Sequence, residues 1–543
     1  MVFARRSTTL LAAIIASCAM VLSLTACTSD NKTVVDGQTT VTSNSAGGVA
    51  VFTPSDGITL NQQMPLNKWA KLVPDLTKAL VDAGFKKGDI NHTTSDSLDK
   101  QSRAIQDFVV DHLSNNTTDD SGIAIAPDNM TLLVAPVVEA DASTRQYGDY
   151  VSQNLSTNDV TDGEATSDGE SSEDDSSKDD SSNTESDSTA SDEQAQAVDR
   201  LVSSLKLAKE SGMHVVLLGN SIEGYKPDAF VKFSDAQTIG KLQAEKMVSK
   251  LKLDKASKDN PKYIEVLLPY TAMDEKGNAN DSTFAQEAFR GIWQVLGSYY
   301  QKGVVESPSG TLDGKSTEND WQAVAYDAAK EGSTAKVLDK RLAKTDGQST
   351  LTRIDGIITM NDYIASEVVK ELDDLGYTGS AADINPQITI SGIVGNITGK
   401  KDLSRDAVPD PIKSPENDNA NDSSSSDDDA DKDTSASDKD RDSQWPLVTG
   451  YGAYVSNIPS IVNGKQWMTG MEDRQTIATD IAQACAKLNK DEALNSMPSI
   501  RNSEVGGVKK IPTINEPLLA VSAGNLKSAL IDPGYISLAD AGL

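Results

Sequence analysis

Short apolar runs alternate with longer segments of helical periodicity along most of the chain, and this alternation limits the folds it can adopt. The run at 49–52 ends at Thr53 and Pro54, and the next segment, 66–85, carries apolar residues such as Trp69 and Leu72 at helical spacing. Strands of this length separated by helices indicate crossover units and a parallel sheet that is buried on both faces. We therefore predict an α/β fold.

The same alternation of apolar runs and helical periodicity predicts the other strands and helices. Strands are predicted at 131–136, 214–219, 263–268, 354–359 and 388–391, and helices at 194–211, 236–251, 283–300, 320–330 and 363–375. In open parallel sheets, ligands bind outside the carboxyl ends of the strands. The candidates are therefore the polar residues just past predicted strand ends: Asp56, Asn220, Ser221, Tyr270, Asp274, Asn361 and Asp362. There is no Gly-x-Gly-x-x-Gly after the first strand and no Walker lysine motif, so no nucleotide loop is predicted.

The first 27 residues have the layout of a secretory signal. Arg5 and Arg6 form a basic start, an apolar run follows from 10 to 24, and Leu24-Thr25-Ala26-Cys27 ends the segment. The apolar run is short for a membrane span. The ending resembles the bacterial lipobox, which implies that Cys27 is diacylated and becomes the new N-terminus. We expect a protein anchored by lipid to the outer face of the cell membrane, with 28–47 as a flexible tether.

Cysteine and histidine counts exclude several chemistries. Cys18 leaves with the signal and Cys27 carries lipid, so Cys485 alone remains in the folded part and is expected to be a small buried side chain. With only three histidines there is no zinc-ligand spacing, and no metal or cofactor is predicted. A secreted hydrolase is the first rival class, but there is no Gly-x-Ser-x-Gly elbow, and nothing singles out a carboxylate pair. We expect no enzymatic activity.

Two acidic tracts carry most of the net charge. The chain has 81 acidic and 50 basic side chains, a net charge of −31, of which −13 lies in 156–193 and −8 in 401–444. Such serine- and aspartate-rich stretches bury too little apolar surface to offset chain entropy, so both are predicted to be disordered inserts. Asp427, Asp429 and Asp431 begin like a calcium loop, but Lys432 stands where glycine is needed. The acidic balance also argues against a nucleic-acid partner.

Several segments, which follow one another in the same order as in the family, resemble the type I periplasmic sugar-binding proteins of ABC importers, most closely their xylose-binding branch. The resemblance covers about 49–540 apart from the acidic tracts. Its pieces are 230–235 with 240–244, 354–362, 448–453 with 462–469, and the C-terminal segments 511–514, 525–527 and 534–535.

The resemblance implies two similar α/β lobes joined by three strands at a hinge, with a sugar in the cleft between them. The N-terminal lobe would comprise 49–255 plus 470–543, and the C-terminal lobe 262–468. Closure around the ligand would present the protein, as a monomer, to the membrane permease. A sensory role, in which the closed form is handed to a membrane receptor, is the alternative that the sequence leaves open.

The resemblance also nominates ligand residues. Trp69 and Trp321 match family aromatics that stack on sugar faces, and Asn361 with Asp362 match an Asn-Asp pair at a strand end. Arg290 and Asp281, or its neighbour Asn280, lie near the family's polar ligands. Each of these residues also has a structural interpretation. Trp69 could be a core residue, Arg290 a surface ion-pair partner, and Asn361-Asp362 a helix cap.

Two departures put the sugar itself in doubt. The chain has Asn220 and Ser221 where xylose-type binders carry an Asp-Arg pair. It has Gly450-Tyr451-Gly452-Ala453 where they carry Gly-Gln-Asp-Ala. Each lost charge-assisted hydrogen bond is worth about 1.5–3 kcal/mol, so xylose is not carried over as the ligand. Tyr451 is a candidate for stacking in place of a polar contact.

Overall fold

The computed structural model describes residues 46–55, 65–115, 125–138, 146–156, 185–273, 280–343, 350–382 and 444–543. Ser45–Leu543 form one compact unit. The strands, in chain order, are β1 Gly48–Pro54, β2 Ile90–Ser95, β3 Met130–Val134, β4 Asn154–Leu155, β5 His214–Leu218, β6 Ser221–Ile222, β7 Ala229–Lys232, β8 Lys262–Val266, β9 Leu268–Pro269, β10 Val305–Glu306, β11 Ala325–Tyr326, β12 Gly356–Ile358, β13 Leu447–Tyr451, β14 Met468–Met471, β15 Ile500–Val505, β16 Val508–Asn515 and β17 Leu519–Ser522.

Ten α-helices connect these strands within the described residues. They are α1 Trp69–Asp82, α2 Leu98–Asn115, α3 Glu185–Glu210, α4 Ala236–Leu251, α5 Thr283–Gln301, α6 Trp321–Val324, α7 Ser333–Arg341, α8 Asp362–Leu375, α9 Ile458–Val462 and α10 Arg474–Leu488. None of the helices in this part of the chain is long and apolar enough to cross a membrane.

Two main sheets organise the molecule. The first has the order β15-β16-β7-β5-β3-β1-β2, and all its neighbours are parallel except the hairpin β15-β16. The second has the order β10-β8-β12-β13-β14-β17, and only β14 with β17 is antiparallel. Two further two-stranded pairs are β9 with β11 and β4 with β6. The α/β prediction with parallel sheets flanked by helices is confirmed.

The central strands of each sheet are buried on both faces. Successive side chains of a strand point to opposite sides, and each side packs into a different core. In β1, Val49 and Val51 pack into one core and Ala50 and Phe52 into another. In the second sheet, Ile358 belongs to a different core from Ile357 next to it. This alternation explains why the strands read as continuous apolar runs.

The chain passes between the two sheets three times. It crosses after β7, where Asp235 caps α4, after β14, where Asp473 caps α10, and between β16 and β17. The cap fixes the chain direction at the first two crossings because the Asp235 and Asp473 side chains accept hydrogen bonds from the first turns of α4 and α10. Three such connections between two sheets form a hinge.

Two segments pack on a different lobe from the one predicted from the sequence. The helix α4 contributes Ile239 and Met247 to the core of the second sheet, although it falls within 49–255. Strand β17 belongs to the second sheet, although it falls within 470–543. A segment that follows a crossing packs on the lobe that it enters. The predicted boundary at 255 lies after the first crossing, and the predicted segment 470–543 continues past the third. The remaining boundaries stay a prediction.

Three further sequence predictions have different outcomes in the structure. The helix predicted at 320–330 is wrong beyond its first turn, because α6 ends at Val324 and β11 then pairs with β9. The helix α3 begins at Glu185, inside the tract 156–193 predicted as disordered. Acidic residues are favourable at a helix N-terminus and the stretch from 185 to 193 has no proline or glycine, so the helix extends. The signal, 28–45 of the tether, 157–184, the strand at 388–391 and 401–443 lie outside the described residues, whereas Ala46, at the end of the predicted tether, is buried in the first lobe's core.

Candidate functional site

The loops at the carboxyl ends of the two sheets contact each other directly. The backbone N–H of Leu66, just before α1, donates to the Gly452 carbonyl, which follows β13, at 2.8 Å. The Tyr454 hydroxyl donates to the Gln146 carbonyl at 2.7 Å. We call the region bounded by Leu66, Gln146, Asn361 and Gly452 the interlobe cleft.

An open pocket with aromatic walls lies at the carboxyl ends of β9 and β11 in the second lobe. Its volume is about 490 Å³. Trp321 begins α6, and its ring meets Tyr270 edge to face with centroids 5.1 Å apart. Asp327 and Lys330 form an ion pair at 3.1 Å on its rim. Flat apolar faces beside a few polar groups are what a small polar ligand with C–H faces requires.

A buried ion pair supports this wall from behind. Arg341 of α7 donates to Glu265 of β8 at 3.4 Å and to the Val324 carbonyl, at the end of α6, at 2.9 Å. Glu265 is fully buried and also accepts from Ser307 at 2.9 Å. Arg341 therefore holds the end of α6, the short helix that begins at Trp321.

Asn361 and Asp362 lie at the carboxyl end of β12 and are fully buried. The Asn361 side-chain oxygen caps α8 by accepting from the Ile364 N–H at 2.9 Å, and its amide donates to Gln146 across the cleft at 3.0 Å. Asp362 accepts from Gln466 at 2.7 Å, from Thr469 at 2.8 Å and from the Tyr454 N–H at 2.9 Å. Burial raises the pKa of Asp362 to about 6, against the opposing effect of these hydrogen bonds.

Tyr451 ends β13 beside the hinge. Its hydroxyl is 2.6 Å from Ser234 Oγ and donates to Glu472 Oε1 at 3.3 Å. Ser234 and Glu472 stand at two of the three crossings, so this buried network links both crossings to the second sheet. Burial raises the pKa of the Glu472 carboxyl to about 7.

Trp69 and Asn220 lie on the first lobe. Trp69 is 2% exposed, and its ring packs against Tyr150 and Phe233 at centroid distances of 5.0 and 5.6 Å. Asn220 is also buried; its side-chain oxygen accepts from the Gln153 N–H at 2.9 Å, and its amide donates to the Pro136 carbonyl at 2.9 Å. Both residues are therefore engaged by protein groups.

Asp281 and Arg290 serve α5 itself. Asp281 accepts from the Thr283 N–H at 2.9 Å and from its hydroxyl at 2.7 Å, at the start of the helix. Arg290 pairs with Glu287 one turn earlier on the same helix. Neither touches the other nominated residues in these contacts. Asp56 and Asp274 lie outside the described residues.

The nominated residues thus fall into three places: the pocket with Trp321, the cleft with Asn361, Asp362, Tyr451, Asn220 and Trp69, and the helix α5. Sequence reasoning missed the segment 146–153, which contacts four of them. Tyr147 and Tyr150 on either side of Gly148, in a chain with 5% aromatic residues, were the only available signal.

The buried cysteine and the three histidines lie in separate places. Cys485 lies in the core beneath the first sheet, and burial raises the pKa of its thiol. His92 contacts Thr53, His112 stacks on Phe108, and His214 contacts the Asp128 carbonyl, so the three imidazoles lie apart. Within the described ranges, no three His, Cys, Asp or Glu side chains are grouped as a metal site.

No protein-family model and no curated protein matches the chain. Solved structures of sugar ABC transporter solute-binding proteins align with it. One, from Clostridium phytofermentans with bound β-D-glucose, has 17% identity and a TM-score of 0.44, covering 91% of this chain and 99% of the other. An arabinose-binding protein from Geobacillus stearothermophilus has 10% identity and a TM-score of 0.41, covering 89% and 99%. The strand order of the two sheets and the three crossings between them define the two lobes.

Proposed function

We propose that this chain is a lipid-anchored, extracytoplasmic binding protein that captures a saccharide between its two lobes and presents it to an ABC importer. The observation that carries the saccharide assignment is the pocket walled by Trp321 and Tyr270 at the carboxyl ends of the second lobe's strands, which offers the sugar its first contact before it enters the cleft between the lobes. The C–H face of a sugar packs on such a ring, and hydroxyls can bond to the Asp327 carboxylate and the Lys330 ammonium.

The hinge supports capture by closure. Three crossings join the sheets, and loops from both lobes already contact each other through Leu66–Gly452 and Tyr454–Gln146. A ligand that touches both lobes binds the closed form better and shifts the population towards it. A permease that recognises the ligand-bound closed form would then receive the saccharide.

The support for membrane attachment is the lipobox-like sequence that ends at Cys27. Two acyl chains on this residue would hold the protein stably at the membrane surface. Cys27→Ser should abolish labelling by a radioactive fatty acid and release the protein from the membrane fraction. Labelling that persists in the variant would contradict the anchor.

The saccharide assignment is tested by calorimetry and tryptophan fluorescence on the full-length chain, with D-glucose, D-ribose, L-arabinose, D-xylose and disaccharides up to millimolar concentration. Trp321→Leu should weaken the best sugar about tenfold, since it removes the stacking face. Trp445→Leu is the matched control, because Trp445 is similarly buried but packs under Lys465, away from the pocket. Absence of binding to every sugar, or equal losses in both variants, would contradict the proposal.

A further inference from the structure

The segment 146–153 runs through the interlobe cleft and contacts the two lobes with different residues. Gln146 faces the second lobe, accepting from the Asn361 amide at 3.0 Å and the Tyr454 hydroxyl at 2.7 Å. Tyr147 is 1% exposed and packs on Phe284, with ring centroids 4.7 Å apart, and belongs to the core of the second sheet.

The next residues hold the segment to the first lobe. Asp149 pairs with Lys68 at 2.7 Å and accepts from the Trp69 N–H at 3.1 Å. The Tyr150 hydroxyl donates to the Lys68 carbonyl at 2.5 Å, and its ring stacks on Phe233. The segment is thus anchored on one lobe and inserts side chains into the other.

Gly148 permits the change of direction between these two sets of contacts. Its φ is +100°, a conformation that L side chains rarely adopt, and a Cβ there would lie 2.6 Å from the Asn67 carbonyl. The close approach to Asn67 also carries a hydrogen bond of 2.8 Å from the Asp149 N–H. Only glycine fits this position without moving the backbone.

The residues that the segment contacts are those nominated for the ligand. Asn361 bonds Gln146, Tyr451 lies near Tyr147 with centroids 6.3 Å apart, Trp69 packs on Tyr150, and Asn220 accepts from Gln153. We propose that 146–153 is an internal occupant of the cleft, which holds the lobes together without ligand and must be displaced from the second lobe before a ligand reaches Asn361 and Tyr451. The competition with ligand rests on the proposed function; the bridging of the lobes does not.

The bridging is tested by an interlobe distance. Nitroxide labels at Lys78→Cys on α1 and Asp374→Cys on α8, both exposed, report the separation of the lobes in the full-length chain with Cys18 and Cys27 changed to Ser. Cys485 is buried and should stay unlabelled. Without ligand, we expect one narrow distance distribution, which broadens to longer distances in the double variant Gln146→Ala with Tyr147→Ala. Gln153→Ala is the matched control, since its contacts to Asn220 and Ser221 are made by the backbone.

A broad distribution in the unsubstituted chain, or no change in the double variant while it remains folded by circular dichroism, would overturn the bridging. Competition is tested with D-glucose, D-ribose, L-arabinose and D-xylose on the same proteins. The double variant should bind its best sugar about a hundredfold tighter, since the loss of the Gln146 side chain and the Tyr147 ring removes much of what keeps the closed, occupied population dominant. Unchanged or weaker binding would overturn the competition. If no sugar binds either protein while the distances change as expected, the internal occupant stands and the saccharide assignment fails.

Discussion

Replacing Glu472 by Gln should change the stability of this protein in opposite directions at low and high pH. Glu472 stands at the second crossing between the sheets and is 1% exposed. Its Oε1 accepts from the Ser234 N–H at 2.6 Å and from the Tyr451 hydroxyl at 3.3 Å. Burial raises the pKa of its carboxyl from 4.5 to about 7, only partly offset by these hydrogen bonds.

A raised folded-state pKa means that the folded protein favours the protonated acid. This contribution to the free energy of unfolding is fully present below pH 4.5 and is lost as the pH rises through about 7. The shift corresponds to about 3 kcal/mol at 1.36 kcal/mol per pH unit. Between pH 5 and pH 8.5 the wild-type protein should therefore lose about 2–3 kcal/mol from this group.

The Gln variant keeps an oxygen that accepts from Ser234 and carries no charge at any pH. Its amide N–H group is a new buried donor, which costs about 1 kcal/mol when it is poorly paired. We expect Glu472→Gln to be less stable than wild type by about 1 kcal/mol at pH 5 and more stable by about 1–2 kcal/mol at pH 8.5.

Urea denaturation of the full-length chain at pH 5, 6, 7 and 8.5, followed by circular dichroism, measures these differences. Glu504→Gln is the matched control because Glu504 is exposed on β15. The control should parallel wild type at every pH. A Glu472→Gln difference that keeps one sign and one size across the range would refute the reasoning, since it would show that Glu472 is ionised in the folded protein throughout.

Two further substitutions test the site. Asp362→Asn should destabilise the protein by about 2–4 kcal/mol in urea denaturation, because the partners of this carboxylate are all donors and one must face the new amide nitrogen. Equal stability at pH 7.5 would contradict this. Arg341→Met should cost about 3–5 kcal/mol by leaving Glu265 buried without its cation. Adding Glu265→Gln should recover a large part of that loss, and a double variant no more stable than Arg341→Met would show that the charge of Glu265 is not the cause.

Burial on both faces made several strands predictable as apolar runs, but β7, β13 and β14 were missed although most or all of their residues are buried. Strands such as β1 and β5 are continuous apolar runs and were found within two residues of their ends. Strand β2 was missed because it is an edge strand whose residues from Asn91 to Thr94 are exposed, so its sequence has neither an apolar run nor alternation. The hairpin β15-β16 was also missed, although Gly506-Gly507 between its strands is a readable turn signal.

The failure at 320–330 has a different cause. Its residues have a helical pattern, but Ala325 and Tyr326 pair with Leu268 and Pro269, far away in sequence. The Tyr326 hydroxyl lies 3.0 Å from Thr334, and the Val324 carbonyl accepts from Arg341. These tertiary contacts outweigh the weak local preference for helix.

The site shows the same division between local and distant information. The Asn361 cap of α8 is local and follows from the sequence, because an N-cap bonds to a backbone N–H three residues on. Its second contact, to Gln146, spans 215 residues, and the Tyr454–Gln146 bond spans 308. No periodicity or spacing encodes such pairs, so the resemblance could nominate Asn361 but not show that another part of the chain bonds to it.

The interlobe contacts also set what a ligand must supply. Separating the lobes breaks the Leu66–Gly452, Asn361–Gln146 and Tyr454–Gln146 hydrogen bonds, each worth about 0.5–1.5 kcal/mol net. It also exposes the Tyr147 ring, whose burial is worth about 2 kcal/mol. An opening cost of about 5 kcal/mol keeps the open form near one molecule in several thousand. A ligand that binds only after opening loses affinity by that factor, so the proposed saccharide must either make strong contacts of its own in the cleft or bind first at Trp321, outside the region that 146–153 occupies.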